Sequence, residues 1–232
     1  MRLVGLDIIR GYAILLMVIF HFSFDLNNFH IIDLDLKHGA FWKYFRYFIV
    51  SMFVFTAGIS LELANRDGIN LSKLTKRVLI LGGASLAVTI GSYTQFPQTW
   101  IYFGILHFFL FSSLAGLLFL KVPKVAIFSA ILILAGYNFA FLNMHWLYSI
   151  LQEPLSLPIY YTEDLANIIP WFGVFLLGLV FSYYGLAQNI LSISYFRKPY
   201  RINTAFSFMG KHSLLIYLLH QPILFAIFML LK

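Results

Sequence analysis

Four stretches of this chain carry no Asp, Glu, Lys or Arg: 78–120, 125–152, 165–196 and 212–231, running for 43, 28, 32 and 20 residues. A helix that crosses a bilayer takes about 20 mostly apolar residues. With two further apolar windows nearer the N-terminus, the pattern predicts about seven spans, over 5–25, 42–62, 77–95, 100–120, 125–143, 166–186 and 212–231. The segment 144–161 holds Trp146, Pro154 and Pro158, and reads as an interfacial or re-entrant piece rather than a full span. Aromatic residues near span ends (Phe41, Trp42, Tyr93, Trp100, Tyr102, Trp146, Tyr183, Tyr184) fit interfacial belts. The expectation is an all-α, polytopic transmembrane bundle forming one integral-membrane domain over 1–232.

Composition narrows this further. Apolar residues make up 61% of the chain and charged ones 11%, and mean hydropathy is +0.84. A soluble domain carries about 25% charged residues, so an ordinary soluble globule is excluded. There is no Cys, which removes disulfides, thiolate metal sites and a Cys nucleophile. Net charge is +7, from 16 basic and 9 acidic residues. The basic groups sit at span ends: Arg66, Lys73, Lys76 and Arg77 after span 2, Lys121 and Lys124 after span 4, and Arg197, Lys198, Arg201 and Lys211 after span 6. Between spans 5 and 6 lie Glu153, Glu163 and Asp164 with no base. Basic loops on one side mark it as cytoplasmic, so the N-terminus is expected inside and the C-terminus outside. The partners implied are membrane lipids with anionic headgroups. Nucleic acid is not expected, because no recognition module is visible. Asp7 and Arg10 interrupt any short apolar signal region, and a multi-pass place in a bacterial cytoplasmic (inner) membrane is the expectation. A homo-oligomer is compatible with the sequence, which does not set the oligomeric state.

Ionisable residues inside spans are costly and mark function by default. Span 1 is the richest, with Asp7, Arg10, His21 and Asp25. At about 100° per residue these four share one face about 60° wide, with Arg10 and His21 about 16 Å apart along the axis. Asp7 and Arg10 are spaced to pair at i, i+3, and His21 and Asp25 at i, i+4. One reading is a catalytic base, His21, oriented by Asp25, since a carboxylate on one ring nitrogen leaves the other to accept a proton. The other is an interfacial ion pair and a hydrogen-bonded bundle histidine. His107 lies well inside span 4 and His220 inside span 7, just before Gln221 and Pro222. Each is either a group lining a cavity or part of a helix–helix hydrogen bond; Pro222 also removes a backbone hydrogen bond. His212 reads as a solvated helix end and His145 as interfacial. In the outer loop, His30, Asp33, Asp35 and His38 form an acceptor-binding rim, a metal site or a solvated loop. Their spacing matches no firm metal pattern, and no metal is expected. No phosphate loop, nucleophile elbow or internal repeat is present.

Four segments carry a family resemblance. Residues 6–21, LDIIRGYAILLMVIFH, resemble the opening helix of the membrane acyltransferases related to heparan-α-glucosaminide N-acetyltransferase. They also hold the Arg-x10-His spacing, Arg10 to His21, of the wider membrane acyltransferase-3 family. Residues 53–60 (FVFTAGIS), 102–107 (YFGILH) and 210–222 (GKHSLLIYLLHQP) resemble the group's second, fourth and closing helices in order. The resemblance implies acetyl transfer from acetyl-CoA on the cytoplasmic side to a sugar amine or hydroxyl on the outer side. It makes Arg10 and His21 the motif pair and puts His220 at the matching closing-helix histidine, so that His21, Arg10, Asp25 and His220 form the expected catalytic set. The lysosomal enzyme has Asn where His21 falls and a His in the following loop, a role His30 or His38 would fill. The base is therefore His21 or an outer-loop histidine.

On this reading Lys76, Arg77, Arg197, Arg201 and Lys211 attract the polyanionic donor, or serve topology alone. Arg10 holds the donor's pyrophosphate arm or polarises its thioester oxygen. His30, Asp33, His38, His107 and Gln221 are the expected acceptor-binding groups. Direct transfer and an acetyl-His intermediate are both open. The competing class is a small-molecule transporter or sensor whose buried His and Arg relay protons. A third reading is a structural subunit whose polar stripe pairs with a partner's helix.

Overall fold

The computed structural model describes residues 3–36, 38–159, 162–193, 196 and 200–230. Among these the chain is helical, with one isolated bridge between Phe103 and Leu165 and no strand. The helices are α1 (Val4–Asn28), α2 (Ala40–Asn65), α3 (Leu71–Gln95), α4 (Ile105–Ala115, continued as a 3-10 turn over Gly116–Phe119), α5 (Pro123–Asn138), α6 (His145–Gln152), α7 (Ile168–Tyr183), α8 (Leu186–Leu191), α9 (Arg201–Lys211) and α10 (Ser213–Leu230). Four of them, α1, α2, α3 and α10, are long and apolar enough to cross a membrane; Ile105–Phe119, Pro123–Asn138 and Ile168–Tyr183 are apolar but shorter.

The chain divides into two compact units, Met1–Thr56 with Gly185–Lys232, and Ala57–Tyr184. In the first, α1 is the centre and α9 packs along it. The contact is backbone on backbone: a methyl group on Gly11 would overlap the carbonyl of Phe206, and one on Gly210 the carbonyl of Asp7. Tyr12 stacks on Phe206 with ring centroids 3.8 Å apart. Helix α10 packs on α1 through Phe22 and Phe29 against Phe225 and Phe228. Ile14, Met17 and Ile49 are buried beneath Phe20, Phe45, Met209, Ile216 and Tyr217.

In the second unit α5 lies along α7, where Gly173 meets Ala130 and Leu134, and Gly58 of α2 meets the backbone of Phe175. Phe175, Leu176 and Leu179 are fully buried. Glu62, almost fully buried, takes two hydrogen bonds from Arg66, at 2.9 Å each, and one from Ser182 Oγ at 2.6 Å. Arg66 also donates to the Ser182 carbonyl at 2.7 Å, which ties α2 to α7. The Glu62 hydrogen bonds push the Arg66 pKa above its ordinary value.

Two differences from the sequence pattern, at 100–104 and between the sixth and seventh expected spans, have physical causes. Residues 100–104 are not helical, because they zip against 162–166: Thr162 Oγ1 bonds the Trp100 carbonyl, Ala166 N the Phe103 carbonyl, and Asp164 Oδ2 accepts from Ile105 N at the start of α4. The segment 144–159 contains the helix α6, which has no buried residue. The stretch between spans 6 and 7 read as a basic loop, but α8 and α9 occupy it; α9 is amphipathic and buries Asn203, Ser207 and Gly210. A charge count finds the cations of such a helix before its buried face.

Candidate active site

Helix α1 carries His21 and Asp25 one turn apart, and α10 brings His220 and Gln221 against them. The His21 and His220 rings meet edge to face with centroids 4.7 Å apart. Asp25 is 0% exposed and His220 9%. His220 Nδ1 lies 2.6 Å from the carbonyl oxygen of Tyr217, one turn earlier on α10. A carbonyl only accepts, so Nδ1 carries the proton and Nε2 of the neutral ring is the bare, proton-accepting nitrogen. Gln221 Nε2 donates to Asp25 Oδ1 at 3.3 Å. Three buried atoms here have no hydrogen-bond partner among the described residues: His220 Nε2, Asp25 Oδ2 and Gln221 Oε1. Buried polar groups are satisfied with few exceptions, and these three occupy adjacent turns where α1 meets α10.

The structure corrects one expected contact. Among the described residues His21 does not hydrogen-bond Asp25; the carboxylate turns to Gln221 across the helix pair. Spacing along one helix cannot reveal a better partner on another. Arg10 lies 4.0 Å from Asp7 at the expected i, i+3 spacing, with Asp7 buried. It is eleven residues from His21 along α1, about 16 Å, and so belongs to the other end of the stripe.

His107 belongs to the second unit. Its Nδ1 accepts from Gly104 N at 3.2 Å, so Nε2 is the N–H that donates to Thr89 Oγ1 at 3.1 Å; Thr89 in turn donates to the Ile101 carbonyl at 2.8 Å. Both ring nitrogens are used to start α4 and hold it to α3, the work Glu or Gln does in a capping box. His30, Asp33 and His38 are exposed and form no hydrogen bond or ion pair with the His21–His220 cluster among the described residues. Nor do three or more His, Asp or Glu side chains gather there in a way that would hold a metal ion. Of the expected donor-binding cations, Lys76, Arg201 and Lys211 are exposed, Arg77 is half-buried, and Arg197 lies outside the described residues. Arg77 and Lys73 line a small cleft with Leu61, Ala64, Asn65 and Leu74. Sequence reasoning missed Tyr217 and Thr89. Each acts through an oxygen whose role shows only when its histidine is placed.

Comparison with known proteins joins this geometry to a family. A family model described as heparan-alpha-glucosaminide N-acetyltransferase, catalytic, matches residues 2–222. The chain belongs to that family. The match runs through Arg10, His21, His107 and His220 and takes in parts of both units. Searches of curated proteins and of solved structures returned no match. Membership in the heparan-alpha-glucosaminide N-acetyltransferase catalytic family makes the chain a transferase-type protein, and its long apolar helices fit a membrane setting. Beside the half-buried His21, His220 combines burial with an unpartnered, proton-accepting nitrogen among the described residues.

Proposed function

We propose that this protein is a membrane acetyltransferase that takes an acetyl group from cytoplasmic acetyl-CoA and places it on a sugar amine or hydroxyl at the outer side of a bacterial inner membrane. The single observation that carries the reading is the His21–His220 pair, half-buried and buried respectively, in which the Tyr217 carbonyl holds the His220 proton on Nδ1 and leaves Nε2 bare. His220 Nε2 takes the proton from the acceptor N–H or O–H as that atom attacks the thioester carbon. The C–S bond then breaks and the thiolate leaves, to be protonated as the free thiol. His21 packs against the base, positioned to pass the proton on. Arg10 at the other end of the α1 stripe, with Arg201 and Lys211, supplies positive charge for a polyanionic donor; Lys76 and Arg77 of the second unit, and Arg197, are proposed for the same charge from their sequence positions alone. His30, Asp33 and His38 form an outer rim through which the acceptor enters. The proposal routes no step through His107, whose two nitrogens are already used.

The test is label transfer from acetyl-CoA to a panel of amino sugars and envelope glycans by the detergent-solubilised protein. His220→Ala is expected to lower turnover by about 10²–10⁴, and His21→Ala by a similar or smaller factor. An unchanged rate in His220→Ala would remove it as the base. Transport of a sugar across proteoliposomes with no covalent change would replace the enzyme reading with a transporter.

A further inference from the structure

The three unpartnered atoms at the α1–α10 contact share one chemical property. Asp25 Oδ2, Gln221 Oε1 and His220 Nε2 all present lone pairs. The Gln221 amide is oriented by the bond it gives to Asp25 Oδ1; turned over, it would set oxygen against carboxylate oxygen, so Oε1 faces away from Asp25. The His220 ring is oriented by Tyr217. Asp25 is fully buried, and His220 nearly so, so bulk water does not reach these atoms. Three buried atoms that only accept attract O–H and N–H groups and repel phosphate, carboxylate and thioester oxygens; the His21 ring against His220 carries at least one N–H of its own.

We propose that Asp25 and Gln221 are the specificity pair of the acceptor subsite, taking hydrogen bonds from O–H or N–H groups that neighbour the reacting atom of a polyhydroxylated substrate. This rests on the acyl-transfer reading above for what the reacting atom does. It gives Asp25 a task other than orienting His21, and it makes the cluster an acceptor site rather than a donor site. These three atoms cannot steady the oxyanion of the tetrahedral intermediate, which needs a donor.

The experiment uses the full chain in detergent, with acetyl-CoA as donor and glucosamine, glucose and their mono-deoxy analogues as acceptors. Gln221→Met keeps the length of the side chain and deletes the amide; Asp25→Asn exchanges one acceptor oxygen for a donor. Each is expected to raise KM for the sugar about ten- to a hundredfold, leaving KM for acetyl-CoA within about twofold. One deoxy analogue should cost the unmodified protein the same factor and cost Gln221→Met little, which a purely structural role would not produce. An unchanged sugar KM, or both KM values moving together, would overturn the proposal. If Asp25→Asn fails to fold, Gln221→Met and the deoxy series decide it. Calorimetric binding of glucosamine without donor separates this proposal from the acyl-transfer reading. Binding that depends on Gln221, with no transfer, keeps the subsite and removes the enzyme. Transfer with a Gln221-independent sugar KM keeps the enzyme and removes the subsite. Neither binding nor transfer overturns both.

Discussion

At the residue scale, the chemistry of this chain turns on where single polar atoms find partners. His107 looks as anomalous in the sequence as His220 does, yet it is satisfied, and so is the buried Glu62. Glu62 is enclosed by Arg66 and Ser182, and His107 by Gly104 and Thr89. His220 retains a buried nitrogen with no partner among the described residues. Satisfied groups of this kind stabilise. Glu62→Ala is therefore expected to lower stability by about 1–3 kcal/mol, because it removes three hydrogen bonds to a buried carboxylate that join α2 and Arg66 to α7. A shift of a few degrees in thermal unfolding in detergent would register this, and an unchanged melting curve would show that the network contributes nothing. The i, i+3 spacing of Asp7 and Arg10 was legible in the sequence because both ends lie on one helix. The Asp25–Gln221 bond, across 196 positions of sequence, was not.

At the element scale, the helices that sequence pattern located are those with an apolar surface long enough to read. The cores of all seven expected spans are helical, and their ends differ by several residues where loops compete for the backbone. Helix α9 escaped notice because its exposed face carries Arg201 and Lys211 while its buried face is small and polar: Asn203, Ser207, Gly210. That composition suits a backbone-to-backbone approach and gives no hydropathy signal. Its contact with α1 has no room for a methyl group at Gly210. Gly210→Ala is expected to push α9 off α1, cost about 1–3 kcal/mol and reduce transfer activity through displacement of α10, which follows α9 after a single residue. Melting temperature and turnover measured together test this. A variant that melts normally and turns over normally would mean that the helices separate without consequence.

At the scale of the whole molecule, helix length bears on how the chain threads the bilayer. α1, α2, α3 and α10 have the length; Pro123–Asn138 and Ile168–Tyr183 have 16 residues each, about 24 Å of helix against a hydrocarbon core of about 30 Å. Seven crossings with the N-terminus inside are our proposal, in which the short helices draw on local thinning of the bilayer. The absence of Cys makes a clean test available. Single cysteines at Lys124 and Lys211 are expected to react with a membrane-impermeant maleimide only after permeabilisation, and one at Glu163 in intact cells. Glu163 silent, or Lys124 labelled from outside, would reverse or reduce the crossings.

The sequence by itself determined that the chain is helical, strongly apolar and a member of an acetyltransferase family, because hydropathy period, charge exclusion and ordered motifs are properties of residues near one another along the chain. It also nominated His21, Asp25, His220 and Gln221. Only the tertiary structure decided that these four belong together, that Asp25 pairs with Gln221 rather than His21, that Tyr217 sets the tautomer of His220, and that His107 serves the start of a helix. Those outcomes depend on hydrogen bonds between distant segments. Each buried donor or acceptor takes the best partner that packing brings within about 3 Å, and packing is settled by the whole fold.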